Sequence, residues 1–183
     1  MVVAGAGIAG LTAADHLRRN HPETEIHVIG REKHFLYNRM GISRLIYGRS
    51  AMQGLYLMPE SWYAERNIEM WLNTRLSSID TAARAVLLGT GETISYDRLI
   101  LATGAQCFVP PIEGFGARGS FVLRDADGAM EVRDYIQHRR GQHAVVAGGP
   151  ALEPCSGNAA VDAACQLTLS RISPRPPARK SPL

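Results

Sequence analysis

The chain has 183 residues, 45% hydrophobic and 20% charged, an ordinary balance for a globular protein of about one domain. No apolar run approaches the ~20 residues that span a bilayer, and the three cysteines form neither a C-x-x-C pair nor a metal-ligand spacing; a cytoplasmic protein without membrane or metal is expected. The net charge of +3 includes four cations near the end (Arg171, Arg175, Arg179, Lys180) with no acid among them; the remainder is close to neutral, so nucleic acid is not an expected partner.

The first strand is read at residues 1–4, Met-Val-Val-Ala. It runs into Gly5-Ala6-Gly7-Ile8-Ala9-Gly10, then into a helix over 8–20 with Leu11, Ala14 and Leu17 on one face, and a second strand follows at 25–29. A lone G-x-G-x-x-G is weak, but between a β-branched run and an amphipathic helix it has the context of a dinucleotide-binding βαβ unit. Gly5 serves the turn, Gly7 admits a pyrophosphate to the backbone, and Gly10 lets helix and strand pack closely. The helix N-terminus offers amides and roughly half a positive charge to the phosphates. The alternative is a strand-turn-helix whose glycines serve packing alone. His21-Pro22 closes the helix, because proline disfavours helix in the residue before it.

Residues 31–58 are mixed, with a short helix expected at 42–47. Pro59 opens another helix reaching Arg66, and a third strand follows at 68–72. Three short β-rich pieces, 76–79, 85–88 and 93–96, read as an antiparallel meander inserted into an otherwise parallel sheet, with Gly89-Thr90-Gly91 as one turn. Residues 99–102 form a continuous apolar run ending at Thr103-Gly104, as a buried parallel strand would. After a loop begun by Pro110-Pro111 come a strand at 121–123, a helix at 126–139 and a strand at 144–147. From Pro150 onward the character shifts: six of the ten prolines lie there. A short helix is expected within 161–169, and disorder over 170–183, which lack apolar periodicity. The whole is an α/β, Rossmann-like, three-layer arrangement.

Three motifs in order carry a resemblance: the glycine loop, then Tyr37-Asn38-Arg39-Met40-Gly41-Ile42-Ser43-Arg44, then Tyr96-Asp97-Arg98-Leu99-Ile100-Leu101-Ala102-Thr103-Gly104-Ala105. In these the chain resembles the FAD-dependent pyridine-nucleotide (disulfide-type) oxidoreductases, nearest to the flavin-binding part of NAD(P)H nitrite reductase large subunits and of ferredoxin and rubredoxin reductases. The resemblance runs to about Gly149. It implies an FAD-binding domain over 1–124, a linker helix and the first strand of an NAD(P)-binding domain over 125–149, and an atypical tail over 150–183. In the family, Val145-Val146-Ala147-Gly148-Gly149 would open the NAD(P)H unit. Here Pro150 and Pro154 oppose a helix at that point, so the chain is expected to be truncated and incomplete relative to the family.

The resemblance implies FAD as cofactor, NAD(P)H as donor in the full-length family, and a redox partner protein or domain. The residues expected at FAD are Gly5, Ala6, Gly7, Ile8, Ala9 and Gly10, with Ala102, Thr103 and Gly104 where small residues let the backbone approach. Arg39 is the expected pyrophosphate clamp, since guanidinium binds phosphate bidentately. Arg44 stands where relatives carry Lys. Glu32 is the candidate ribose acid, the first acid after the second strand; a solvated loop acid is its alternative. Arg31 would instead suit a 2′-phosphate, an NADP reading. No catalytic residue is assigned. Three functions follow: the flavin-binding portion of an NAD(P)H oxidoreductase, a non-catalytic nucleotide-binding fragment, or an NAD(P)-binding Rossmann protein.

Overall fold

The computed structural model describes residues 1–48, 51–107, 111, 113, 115–139, 143–144 and 166–167. The chain divides into two units, Met1–Asn38 with Met52–Phe108, and Arg39–Ala51 with Val109–Leu183.

In the first unit β1 (Val2–Ala4), β2 (Ile26–Ile29), β3 (Ile68–Trp71) and β7 (Leu99–Leu101) form a four-stranded sheet in the order β3-β2-β1-β7. Every pair is parallel: Val3 faces Val28 on one side and Ile100 on the other. Helix α1 (Ile8–Asn20) crosses from β1 to β2 and lies on one face. Its Leu11 and Ala14 are buried with Val3, Ile26, Val28 and Ile68, as the three- and four-residue spacing requires. Helix α3 (Glu60–Glu65) adds Tyr63 to that core, stacked on Phe35 at 4.7 Å. Arg18 of α1 donates to the carbonyls of Arg66 (2.7 Å) and Asn67 (2.9 Å), closing the C-terminal end of α3 as a cation suits it.

The meander, β4 (Leu76–Asp80), β5 (Ala85–Leu88) and β6 (Thr93–Ser95), is antiparallel throughout, yet it forms a sheet of its own rather than joining the parallel one. Val86 and Leu88 are buried with Val2 and Ile29, so the meander covers the face opposite α1. Three layers result, as expected. The last strand is the exception to the reading of 99–102 as buried. β7 ends the sheet among the described residues, and Leu101 is 62% exposed there. A continuous apolar run marks a parallel strand, but it does not say whether both faces are covered.

The second unit contains α2 (Ser43–Ile46), which packs on α4 (Ala126–Arg139). Asp125 caps α4, its Oδ1 accepting from the Gly128 amide at 2.9 Å. The strand expected at 121–123 is irregular instead. Phe121 packs edge-on against Tyr135 of the following helix at 5.1 Å, so its ring is spent on α4 and not on a sheet. β8 (His143–Ala144) pairs in parallel with β9 (Gln166–Leu167). The expected strand at 144–147 is thus described only at its start. The expected helix over 161–169 is corrected at 166–167, which are strand, paired in parallel with β8 through backbone bonds that a helix would keep to itself. Pro110 and the rest of the 150–183 tail lie outside the described residues.

Burial raises the Tyr63 hydroxyl above its ordinary value near 10, partly countered by the Leu36 amide donating to it at 3.2 Å. The folded state therefore holds that proton more tightly than the unfolded chain. This contribution is present below pH ~10 and lost as pH climbs through the folded value. Tyr63→Phe should cost about 1 kcal/mol at neutral pH, through the orphaned amide, and should flatten the alkaline loss of stability. Urea midpoints on either side of pH ~10 check both; a slope as steep as that of the parent chain would contradict it.

Candidate nucleotide-binding site

β1 lies between β2, reached by one crossover, and β7, reached after β3 and the meander, so the chain reverses its direction of travel across the sheet at β1. Ligands of such sheets sit outside the carboxyl ends of the strands at that reversal. The glycine loop is there. The Gly5 amide donates to the Ile29 carbonyl of β2 at 2.8 Å, and the Ala102 amide donates to the Ala4 carbonyl at 2.7 Å. Gly5 has φ +122°, and a Cβ on it would lie 2.1 Å from the Ala102 carbonyl oxygen and 3.1 Å from the Thr103 nitrogen. The loop and the end of β7 therefore touch backbone to backbone.

Gly10 answers a different need. A Cβ there would lie 1.8 Å from the Gly5 carbonyl oxygen, so α1 can approach its own entry turn only without one. Gly7, by contrast, opens onto empty space, with no heavy atom within 4 Å of a built Cβ. The first helical bond is Leu11 amide to Gly7 carbonyl at 3.0 Å, so the Ile8, Ala9 and Gly10 amides precede the ladder. No acid occupies the first turn. An open cradle faced by first-turn amides at the positive end of a 13-residue helix suits a phosphate.

Glu32 stands just past β2, half-buried, its carbonyl accepting from the Asn73 amide at 2.9 Å. The end of β2 is drawn to the loop at Gly30, where a Cβ would come 2.7 Å from the Cβ of Ala6. The Tyr37 hydroxyl donates to Glu32 Oε2 at 2.5 Å. Gly5, Ala6, Gly7, Glu32, Ala102, Thr103 and Gly104, in the segments that follow strands, and Ile8, Ala9 and Gly10, in the first turn of α1, thus all belong to one unit. Arg39 and Arg44 belong to the other. Arg39 lies in a 3-10 turn (Arg39–Gly41) and donates to the Arg124 carbonyl at 3.3 Å, while Arg44 is exposed on α2. Arg31 is exposed as well.

Two features escaped the sequence reading. Gly30, which follows β2 ahead of the candidate acid, is the contact point for Ala6. His27, 12% exposed, faces Glu25 at Nε2 (3.1 Å) and Glu69 at Nδ1 (3.0 Å). The parallel register, which sets His27 beside Glu69, could have shown the second pairing. The Trp71 indole N–H also donates to His27 Nδ1 at 3.3 Å, and one ligand atom from each of Glu25, His27 and Glu69 lies within 4.8 Å of the others. Among the described residues no helix is long and apolar enough to cross a membrane.

A sequence profile of the pyridine nucleotide-disulphide oxidoreductases matches residues 1–172, beyond the expected limit near 149. The ferredoxin–NAD(+) reductase component of the biphenyl dioxygenase system of Paraburkholderia xenovorans (strain LB400) is 34% identical over 149 residues, 81% of this chain and 36% of that protein. An NAD(P)H nitrite reductase of Emericella nidulans is 36% identical over 155 residues, 82% of this chain and 14% of that protein. The crystal structure of a ferredoxin reductase from Rhodopseudomonas palustris superposes with a TM-score of 0.82 at 28% identity, over 99% of this chain and 44% of the other. The chain spans less than half the length of each.

Proposed function

The chain belongs to the FAD-dependent pyridine nucleotide-disulphide oxidoreductase family, and we propose that it is the FAD-binding portion of an NAD(P)H-dependent oxidoreductase that passes electrons to a redox protein or domain. The observation that carries this reading is the cradle at Gly7, with Gly5 and Gly10 packed tightly on either side of it. The α1 amides receive the pyrophosphate, Glu32 receives the adenosine ribose, and the exposed Thr103-Gly104 turn lets the backbone approach the ligand. FAD, when bound, supplies the two-electron redox chemistry that no side chain can. Relatives such as the ferredoxin reductases point to a small electron-transfer protein as acceptor. The reading places the work in the cytoplasm.

Heat extraction of the purified protein followed by chromatography tests the cofactor. FAD is the expected product; NADP(H) without flavin would favour Arg31 as a 2′-phosphate ligand and overturn the FAD reading. A second reading is a nucleotide-binding module that turns over nothing by itself; it predicts FAD on extraction with no NAD(P)H oxidation.

Arg39 acts as the pyrophosphate clamp and Arg44 contributes less. Arg39→Ala should weaken FAD binding by about 1.5–3 kcal/mol, the worth of a charge-assisted hydrogen bond, and Arg44→Ala by less. Fluorescence titration of FAD against both variants gives the order; an equal or larger loss at Arg44 would show the roles to be exchanged.

A further inference from the structure

We propose that Tyr37 is a positioning residue that acts through Glu32 and thereby sets recognition of the ribose 2′-hydroxyl at this site. The proposal rests on the FAD reading and goes beyond it by naming what fixes the acid. A glutamate at the end of a strand has three side-chain torsions to order before it can read a ribose. Here one oxygen, Oε2, accepts the Tyr37 hydroxyl at 2.5 Å, the short distance of a charge-assisted bond. A carboxylate offers about four acceptor positions, so the phenol orients the group without exhausting it.

Tyr37 is itself firmly placed. It is 5% exposed and forms a bridge with Tyr56, flanked by the Asn38 amide donating to the Leu55 carbonyl (2.8 Å) and the Leu57 amide donating to the Leu36 carbonyl (3.0 Å). Its ring meets His34 edge-on at 6.1 Å, and Tyr56 Oη lies 3.5 Å from His34 Nδ1. A buried phenol held on both sides by backbone bonds is a rigid reference, and its hydroxyl is aimed at an acid two residues past Gly30, which meets Ala6 of the glycine loop. Rigid placement of a reading group is what converts a hydrogen bond into discrimination, because the ligand that lacks the hydroxyl leaves a fixed polar atom unpaired.

Calorimetric titration of the full 183-residue chain with ADP and with 2′-deoxy-ADP tests this, using the parent protein, Tyr37→Phe, Glu32→Ala and the double variant. The parent should prefer ADP by about tenfold. Tyr37→Phe should cut the preference to about twofold, Glu32→Ala should abolish it, and the double variant should match Glu32→Ala alone. A Tyr37→Phe that weakens both ligands by one factor and keeps the preference overturns the proposal, since packing alone would act that way. If thermal melting shows Tyr37→Phe to be unfolded, Glu32→Asp keeps the question open to decision: shortening the acid away from the phenol should also erode the preference, and an unchanged ratio counts against the proposal. A parent chain that binds FAD but does not distinguish the two ADP analogues sinks the Tyr37–Glu32 inference alone. A parent chain that binds no flavin sinks the broader reading with it.

Discussion

Gly10→Ala should unfold the nucleotide-binding unit, whereas Gly7→Ala should leave it folded and remove its ligand. The two positions differ by three residues and by almost everything else. A methyl at Gly10 would lie 1.8 Å from the Gly5 carbonyl oxygen, a backbone atom that the β1–β2 and β1–β7 ladders hold in place. The clashing atoms at 1.8 and 3.0 Å are backbone, and the next, Val3 Cγ1 at 3.3 Å, belongs to a fully buried strand residue, so relief requires α1 to lift off the sheet and uncover Leu11 and Ala14. A loss of about 4 kcal/mol or more is expected, among the largest that single substitutions produce. At Gly7 the backbone is extended, with φ −80° and ψ −177°, which alanine accepts without strain, and the methyl meets nothing. It would stand instead where a pyrophosphate must come. Urea unfolding should thus separate the variants widely, and FAD titration should show Gly7→Ala weakened by about tenfold or more. Parent-like stability in Gly10→Ala would mean that the helix can shift at little cost.

The second large effect concerns turnover. The 183-residue chain on its own, even with FAD supplied, should show no saturable NADH or NADPH oxidation above the rate of free flavin. Holding two reactants in place is worth effective molarities of about 10⁵–10⁸ M, and that advantage exists only where the protein positions both. The described residues contain one strand–glycine loop–helix unit, at β1 and α1, and the chain covers 36% of the length of its ferredoxin reductase relative. Stopped-flow measurement with an artificial acceptor checks this. Saturable oxidation of NADH would show that these residues hold the nicotinamide against the flavin by themselves.

Much of the first unit was legible because its signals are local and periodic. The limits of α1 at 8 and 20 follow from a stripe of small and apolar residues between a glycine loop and a proline, and those of α4 at 126 and 139 from a capping aspartate before a helical run. Strand identity was legible too, through β-branched runs and turn residues. What was not legible depended on partners distant in sequence. The exposure of Leu101 is decided by where β7 falls in the strand order, and the failure of 121–123 to form a strand by a ring on the next helix. The site divides in the same way. The glycines announce themselves, since each is needed for a contact or an opening within the loop. The bond from Tyr37 to Glu32 depends on a side-chain direction that no spacing rule encodes.

The close approach of Gly5 to Ala102 also orders events in time. β1, α1 and β2 are neighbours in the chain and can meet early, but Val2 joins Leu99 only after β3 and the whole meander have been passed. Closing so long a loop delays the rate of assembly more than it weakens the final state. The floor of the phosphate cradle is therefore made from the first and last strands of its unit, and it is completed when the slowest pairing is. On the FAD reading, nucleotide capture is expected to report that pairing: a chain with its helices formed and β7 not yet on β1 would match the native helical content and still lack the floor of the cradle.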